Sequence, residues 1–208
     1  MKTFYIDKDE IGIDEAGRGT LIGRVYAAAV IWGDIDEKEI PDEVRVYDSK
    51  KMTRNQRKKA YKWIIENVKG YGIGYAEPEE IDKINILQAT RMSMKRAIED
   101  LKNKQKNIEI PSRLIIDGCR WEDKFENFKS YSIVKGDSQY YSIAAASIIA
   151  KEEHDKHILE LCEECKDLNE KYDLLNNMGY GTKKHIDGIK KYGPNKYHRV
   201  TFKPIKKD

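Results

Sequence analysis

Four acidic side chains stand where strands should end or turns begin. Asp14 and Glu15 follow Ile11-Gly-Ile, Asp117 closes Arg113-Leu-Ile-Ile, and Asp137 comes soon after Ser130-Tyr-Ser-Ile-Val134. Carboxylate oxygens are hard ligands suited to Mg2+ or Mn2+. A pair of such ions about 3.5–4 Å apart activates water and stabilises the leaving oxygen in phosphodiester hydrolysis. Clustered carboxylates repel one another without metal, a cost rarely accepted for packing alone. Each residue also has a plainer reading. Asp117 before Gly118 is ordinary turn chemistry, and Asp137 before a helix is a natural N-cap. Neighbours on a regular strand point to opposite faces. Asp14 and Glu15 therefore reach one site only where the strand ends or bends, and Glu15 is the weaker candidate ligand.

Gly17-Arg18-Gly19 follows these two acids at once, and small residues let backbone approach a ligand closely. A flexible turn is the plainer alternative. No Walker-type loop with its Lys-Ser/Thr is present, nor a Gly-x-Ser-x-Gly elbow, which argues against an NTPase and a serine hydrolase. The run His154-x-x-His157…Cys162-x-x-Cys165 has the residue types of a zinc site. It falls in an expected single helix, where residues eleven apart sit roughly 16 Å apart, so structural zinc is not expected. Three cysteines suit reduced thiols better than a disulfide framework.

These residues need a scaffold. The chain has 208 residues, enough for one sizeable domain. Hydrophobic residues make up 39% and charged ones 36%, a globular balance. No signal-peptide core opens the chain and no apolar run reaches bilayer length, so a cytoplasmic protein without membrane attachment is expected. Lys and Arg exceed Asp and Glu by 39 to 36. That excess is too small to establish a nucleic-acid partner. Its distribution says more: Lys183, Lys184, Lys190, Lys191, Lys196, Arg199, Lys203, Lys206 and Lys207 crowd the C-terminus, as a phosphate-tracking stripe or as a solvated face.

Strands are expected at 11–14, 24–32, 71–75, 113–117 and 130–134. Helices are expected from Thr53 to Val68 with Thr53 as cap, from Pro78 to about Lys102, from Ser138 to about Asp167, and over 183–192, ended by Gly193-Pro194. Alternation of strands and helices argues an α/β domain over 1–170. A helical extension over 171–208 would belong to the same globular unit.

The segments Gly12-Ile-Asp14-Glu15-Ala-Gly17-Arg18-Gly19, Asp48-Ser49-Lys50-Lys51, Glu80-Ile-Asp82…Asn85-Ile-Leu-Gln-Ala-Thr90 and Ile116-Asp117-Gly118 together resemble ribonuclease HII. So do Lys135-Gly-Asp137-Ser138 with Ile143-Ala-Ala-Ala-Ser147-Ile-Ile-Ala-Lys151, then Gly179-Tyr180-Gly-Thr182 and His198-Arg199. They occur in family order along almost the whole chain.

The resemblance implies an RNase H-like fold, a central mixed sheet of about five strands flanked by helices. It implies an endoribonuclease that hydrolyses the RNA strand of RNA–DNA hybrids. The same resemblance implies cutting 5′ of ribonucleotides embedded in duplex DNA, leaving 5′-phosphate and 3′-hydroxyl ends, in ribonucleotide excision repair and DNA replication. Asp14, Glu15, Asp117 and Asp137 would hold two Mg2+ or Mn2+ ions. Gly17, Arg18 and Gly19 would sense the 2′-hydroxyl that separates ribose from deoxyribose. Lys50 and Lys51 would meet phosphates, and Tyr180 would pack on the sugar following the ribonucleotide. Ser138 and Ser147 match family positions that capping and small-residue packing explain nearly as well. His198 and Arg199 match a terminal motif of structural character, and His185 reads as an exposed helix residue.

The chain departs from the family at Thr20 and Arg24, where prolines are usual, which suggests a softer loop. Glu152-Glu153-His154-Asp155 replaces an apolar residue and an Arg before the Asp, leaving the charge near the substrate open. Thr201 stands for a usual serine. The rivals are ribonuclease HIII, which typically has Gly-Lys-Gly and an extra N-terminal domain, another RNase H-like nuclease acting on DNA, and an inactive hybrid-binding module. No Gln-x-x-apolar-x-x-aromatic-aromatic clamp motif is found, and a monomer is expected.

Overall fold

The computed structural model describes residues 1–6, 10–122 and 124–206. Its centre is a mixed sheet of five strands: β1 (Glu10–Ala16), β2 (Val25–Ile31), β3 (Gly70–Ala76), β4 (Arg113–Asp117) and β5 (Lys129–Ile133). They lie in the order β3-β2-β1-β4-β5. The first three form an antiparallel meander, while β4 and β5 run parallel to β1. Every residue of Val25-Tyr-Ala-Ala-Ala-Val-Ile is buried, as expected of a run apolar on both faces and covered on both.

Helices α1 (Arg54–Asn67), α2 (Pro78–Ile84), α3 (Ile86–Lys104), α4 (Tyr141–Glu164), α5 (Asp167–Tyr172), α6 (Leu174–Asn177) and α7 (Lys183–Tyr192) surround the sheet. Alternation along the strands sorts the core. Ala28 and Val30 pack with α1 and α4, whereas Ile11, Ile13, Ala27 and Ala29 pack with α3. Gly12 faces α4 so closely that a Cβ there would lie 2.4 Å from the Ser142 backbone. Only glycine lets the start of α4 rest directly on β1. A third core, built from Leu21, Ile22, Ile158, Leu161, Leu168, Tyr172, Leu174, Ile189 and Ile205, joins α4 to the C-terminal helices.

Several boundaries differ from the sequence reading, each for a local reason. The helix expected from Pro78 to about Lys102 is two helices. Asn85 breaks it with a positive φ of 68° and an extended ψ of 163°, and its side chain accepts from the Leu87 and Gln88 amides to cap α3. The helix expected from Ser138 starts at Tyr141, because Gly136–Ser138 form a short 3-10 turn. It ends at Glu164, and the short helices α5 and α6 follow, whose bounds the sequence reading had not resolved within the expected helical extension. Thr53 caps α1 through a reciprocal bond pair with Gln56. Among the described residues no helix is long and apolar enough to cross a membrane.

Candidate active site

Strand register places the first two carboxylates. Gly12 of β1 stands beside Ile115 of β4 in parallel. Two residues further on, Asp14 and Asp117 fall on the same face, the one toward α4. The third comes from the turn after β5. Lys135 takes a left-handed conformation, Gly136–Ser138 coil into the 3-10 turn, and the Gly136 amide donates to Asp117 Oδ1 at 2.7 Å. One carboxylate oxygen from each of Asp14, Asp117 and Asp137 lies within 4.8 Å of the others. Burial, then the charges of Glu15 and Asp117, hold the Asp14 carboxyl well above its ordinary range. Burial, then Asp117 and Asp48, raise Asp137.

Glu15 is not in that group. It has the opposite strand parity, and its Oε1 accepts from Arg18 Nη1 at 3.0 Å. Its Oε2 is buried with no partner in the protein, and burial raises its pKa although Arg18 opposes the shift. A buried acceptor without a donor calls for a ligand. Three converging carboxylates with this fourth at their edge fit a divalent cation.

The cluster has supports that sequence reasoning undervalued. Ser147 of α4 reaches Asp14 and favours its ionised form. Its hydroxyl also lies 2.9 Å from that of Ser49, so a hydroxyl chain ties the Asp48-Ser49-Lys50-Lys51 turn to the carboxylates. Its signals were a small polar residue in an alanine-rich helix and a match to a family position, which small-residue packing explained nearly as well. Burial works against the Lys50 charge, but Asp14, Asp137, Asp117 and Asp48 outweigh it and raise its pKa. Lys51 instead turns back to Asp48 at 3.3 Å and stays exposed.

Gly17-Arg18-Gly19 continues directly from β1. Gly17 has φ +84°, and a Cβ there would lie 2.3 Å from His154 Cδ2, so the imidazole of α4 backs the glycine. Thr20, in the place of a proline, is buried, and its hydroxyl donates to the Gly17 carbonyl at 3.0 Å. Arg24 donates to Glu77 at 2.9 Å and lies over the Tyr75 ring. Fixed hydrogen bonds thus stand where proline rings would stiffen the loop. Arg199, fully buried, donates to the Gly23 carbonyl at 3.0 Å and the Arg18 carbonyl at 3.2 Å. Tyr180 borders Gly19, whose Cβ would lie 3.9 Å from the ring edge. The ring remains partly exposed, with Lys151 Nζ 5.3 Å from its centroid.

Of the departures around residue 152, His154 backs Gly17, while the three acids are engaged by α1 and α4. Arg57 donates to Glu152 at 2.6 Å and to Asp155 at 2.9 Å, and Tyr61 donates to Glu153 at 2.5 Å. The acidic charge is absorbed by α1 and by Lys151, which meets Asp155 at 2.7 Å. His154, His157 and Cys162 lie along α4, with Cys165 at its C-cap. The Thr201 hydroxyl donates to Asp82. His185 corrects the sequence reading: it is fully buried, because α7 turns that face toward Tyr172 and His198. Lys207 lies outside the described residues.

Comparison with known proteins agrees with this geometry. The family model for ribonuclease HII matches residues 11–205. A ribonuclease HII of Pelagibacter ubique is 45% identical over 194 residues, covering 93% of this chain and 95% of that protein. The ribonuclease H2 structure from Pyrococcus horikoshii OT3 is similar, with a TM-score of 0.64, 25% identity and 94% of both chains covered. The ribonuclease HII of Archaeoglobus fulgidus, solved in a complex with PCNA, shares the fold. Its TM-score is 0.70 at 23% identity, over 96% of this chain and 97% of that one. With one family model spanning the three carboxylates, the glycine turn and Tyr180 alike, the chain belongs to the ribonuclease HII family and is a ribonuclease H.

Proposed function

We propose that this ribonuclease H cuts on the 5′ side of ribonucleotides embedded in duplex DNA, as well as within RNA–DNA hybrids, and leaves 5′-phosphate and 3′-hydroxyl ends. The convergence of Asp14, Asp117 and Asp137 beside Gly17-Arg18-Gly19 and Tyr180 carries the reading. Asp14, Glu15, Asp117 and Asp137 would hold the cations. Two Mg2+ or Mn2+ ions, when bound, supply activation of the attacking water and stabilisation of the leaving oxygen.

The protein's own groups do the rest. Gly17-Arg18-Gly19 offers main chain at close range to a 2′-hydroxyl, which accepts and donates hydrogen bonds where deoxyribose offers neither. The Tyr180 ring packs on the following deoxyribose and positions the junction. Lys50 meets the scissile strand's phosphates, with Lys51 released from Asp48 to join it. The 171–208 extension, with its lysines, forms the substrate-binding side of a protein that acts as a monomer. In the cell this activity serves ribonucleotide excision repair and DNA replication.

The test is a DNA duplex carrying one ribonucleotide, incubated with Mg2+ or Mn2+, with the product ends mapped. Cleavage at the 5′ side of the ribonucleotide is expected. Intact single-ribonucleotide duplex alongside degraded hybrid would refute the embedded-ribonucleotide reading.

A further inference from the structure

His185 and His198 are buried, and their Nε2 atoms lie 3.2 Å apart. The Tyr180 end of the pair sets its protons. His185 Nδ1 faces the Tyr180 carbonyl oxygen at 3.0 Å, which can only accept, so Nδ1 carries the hydrogen. A neutral His185 then has a bare Nε2, and His198 must supply the Nε2–H between the rings. That leaves His198 Nδ1 as an acceptor, and the Asn195 amide donates to it at 3.1 Å. Asn195 Oδ1, 2.9 Å from the same nitrogen, accepts from the Tyr197 amide at 3.0 Å. In this neutral arrangement each ring nitrogen has one bonding partner and the bonds run from the Asn195 amide to Tyr180, at the cost of a 2.9 Å contact between two acceptors, His198 Nδ1 and Asn195 Oδ1. Burial holds both imidazoles below the ordinary histidine range, which agrees with a neutral pair. Tyr172 closes the pocket, its ring centroid 4.7 Å from that of His198.

The pair joins two segments that grip the loop after Gly17-Arg18-Gly19. On one side Thr20 pairs with Tyr180, and the Leu21 amide donates to the Gly179 carbonyl at 2.8 Å. On the other Ile22 pairs with His198, the Arg199 amide donates to Leu21 at 2.9 Å, and the Gly23 amide donates to Tyr197 at 3.0 Å. The Arg199 side chain continues from Gly23 to the Arg18 carbonyl. Tyr180 needs this hold. It follows Met178 and Gly179, at φ 47° and 84°, and a non-glycine residue in the left-handed region persists only when its surroundings over-determine it.

We infer that His185 and His198 form, with Arg199, a clasp of positioning residues that keeps Tyr180 in register with Gly17-Arg18-Gly19, and so sets selectivity for a single ribonucleotide within DNA. The inference rests on the proposed role of Tyr180 as the reader of the sugar beyond the ribonucleotide. None of the three clasp residues touches the reacting atoms.

The experiment compares kcat/KM on a single-ribonucleotide duplex and on a long RNA–DNA hybrid. His185→Leu, which removes both ring bonds, should lower the first value about tenfold more than the second. His185→Asn keeps a donor near the Nδ1 position and should recover the ratio to within about threefold. In a Tyr180→Ala background, His185→Leu should change the ratio no further, since residues acting as one unit are not additive. Equal loss on both substrates from His185→Leu, or a ratio change that persists without the Tyr180 ring, overturns the clasp. Tyr180→Ala alone separates the two ideas. If it lowers both substrates equally, the reading of Tyr180 fails and the clasp role with it. If it discriminates and His185→Leu does not, only the clasp fails. The wild-type protein gives a reading independent of any variant's folding. Its imidazole 15N spectra should show His185 as the Nδ1–H tautomer and His198 as the Nε2–H tautomer, and the reverse assignment overturns the inference.

Discussion

Asp14→Asn should make the metal-free protein more stable while abolishing its activity. In the folded protein Asp14, Asp117 and Asp137 present oxygens within 4.8 Å of one another. Two full charges at that separation repel by about 3.5 kcal/mol at an effective dielectric constant near 20. The raised Asp14 pKa relieves part of this by protonation, so a gain of about 2 kcal/mol is expected from removing the charge. For a chain of this size that is roughly 4–8 °C in Tm. The sign follows from linkage. A carboxyl raised on folding contributes stability that is fully present below its unfolded pKa of about 3.9 and is lost as pH rises through the folded value. With chelator present, wild-type Tm should therefore fall as pH climbs above about 4, and the variant should fall less. Mg2+ should raise the wild-type Tm and leave the variant's nearly unmoved. Thermal melts at pH 5 and 7, with EDTA or with Mg2+, measure all four quantities beside a cleavage assay. A variant that melts below wild type in EDTA at pH 7 would refute the electrostatic reasoning. One that retains more than about a tenth of wild-type cleavage would remove Asp14 from the metal site.

Three further outcomes are expected. Asp117→Asn should depress cleavage of single-ribonucleotide duplex and long hybrid together, whereas Tyr180→Ala should spare the hybrid; kcat/KM on both substrates separates the two. Changing Lys203 and Lys206 to Ala should flatten the slope of log K against log salt by roughly 1–2 units if each lysine meets a phosphate. Point changes serve better than truncation after Phe202, because the buried Ile205 belongs to the C-terminal core. Arg57→Met should cost about 3–5 kcal/mol in urea unfolding, since it leaves Glu152 and Asp155 paired to nothing on α1. A loss under about 1 kcal/mol would mean that Lys151 alone neutralises them.

The strands and the carboxylates were legible because their signals are local. Alternation and apolar runs marked all five strands, and acids at strand ends marked Asp14, Asp117 and Asp137. Glu15 was the weaker candidate on strand parity, and it lies outside the group formed by Asp14, Asp117 and Asp137, although its buried, unpartnered oxygen required coordinates to see. Asn85 was a readable break that apolar spacing on either side concealed, since α2 and α3 continue with similar periodicity. His185 shows the opposite limit. Its surroundings are lysines, which suggest solvent, yet α7 turns that one position inward to meet a residue thirteen places later in the chain. Nothing within one helix reveals a partner supplied by another segment. Arg199 likewise looks like part of a basic stripe and is buried under Gly23 and Arg18.

The grip of residues 197–199 on the loop at 20–23 also has a consequence for synthesis. The four acids are complete once Asp137 has emerged, but the loop that would discriminate among sugars gains its second flank only when Tyr197, His198 and Arg199 arrive. The proposed metal-holding acids would therefore precede the proposed selector in the order of synthesis. A chain released early, between α4 and Tyr197, would carry the acids with a glycine turn that lacks its second flank, so the proposed selectivity would require synthesis to proceed through Arg199.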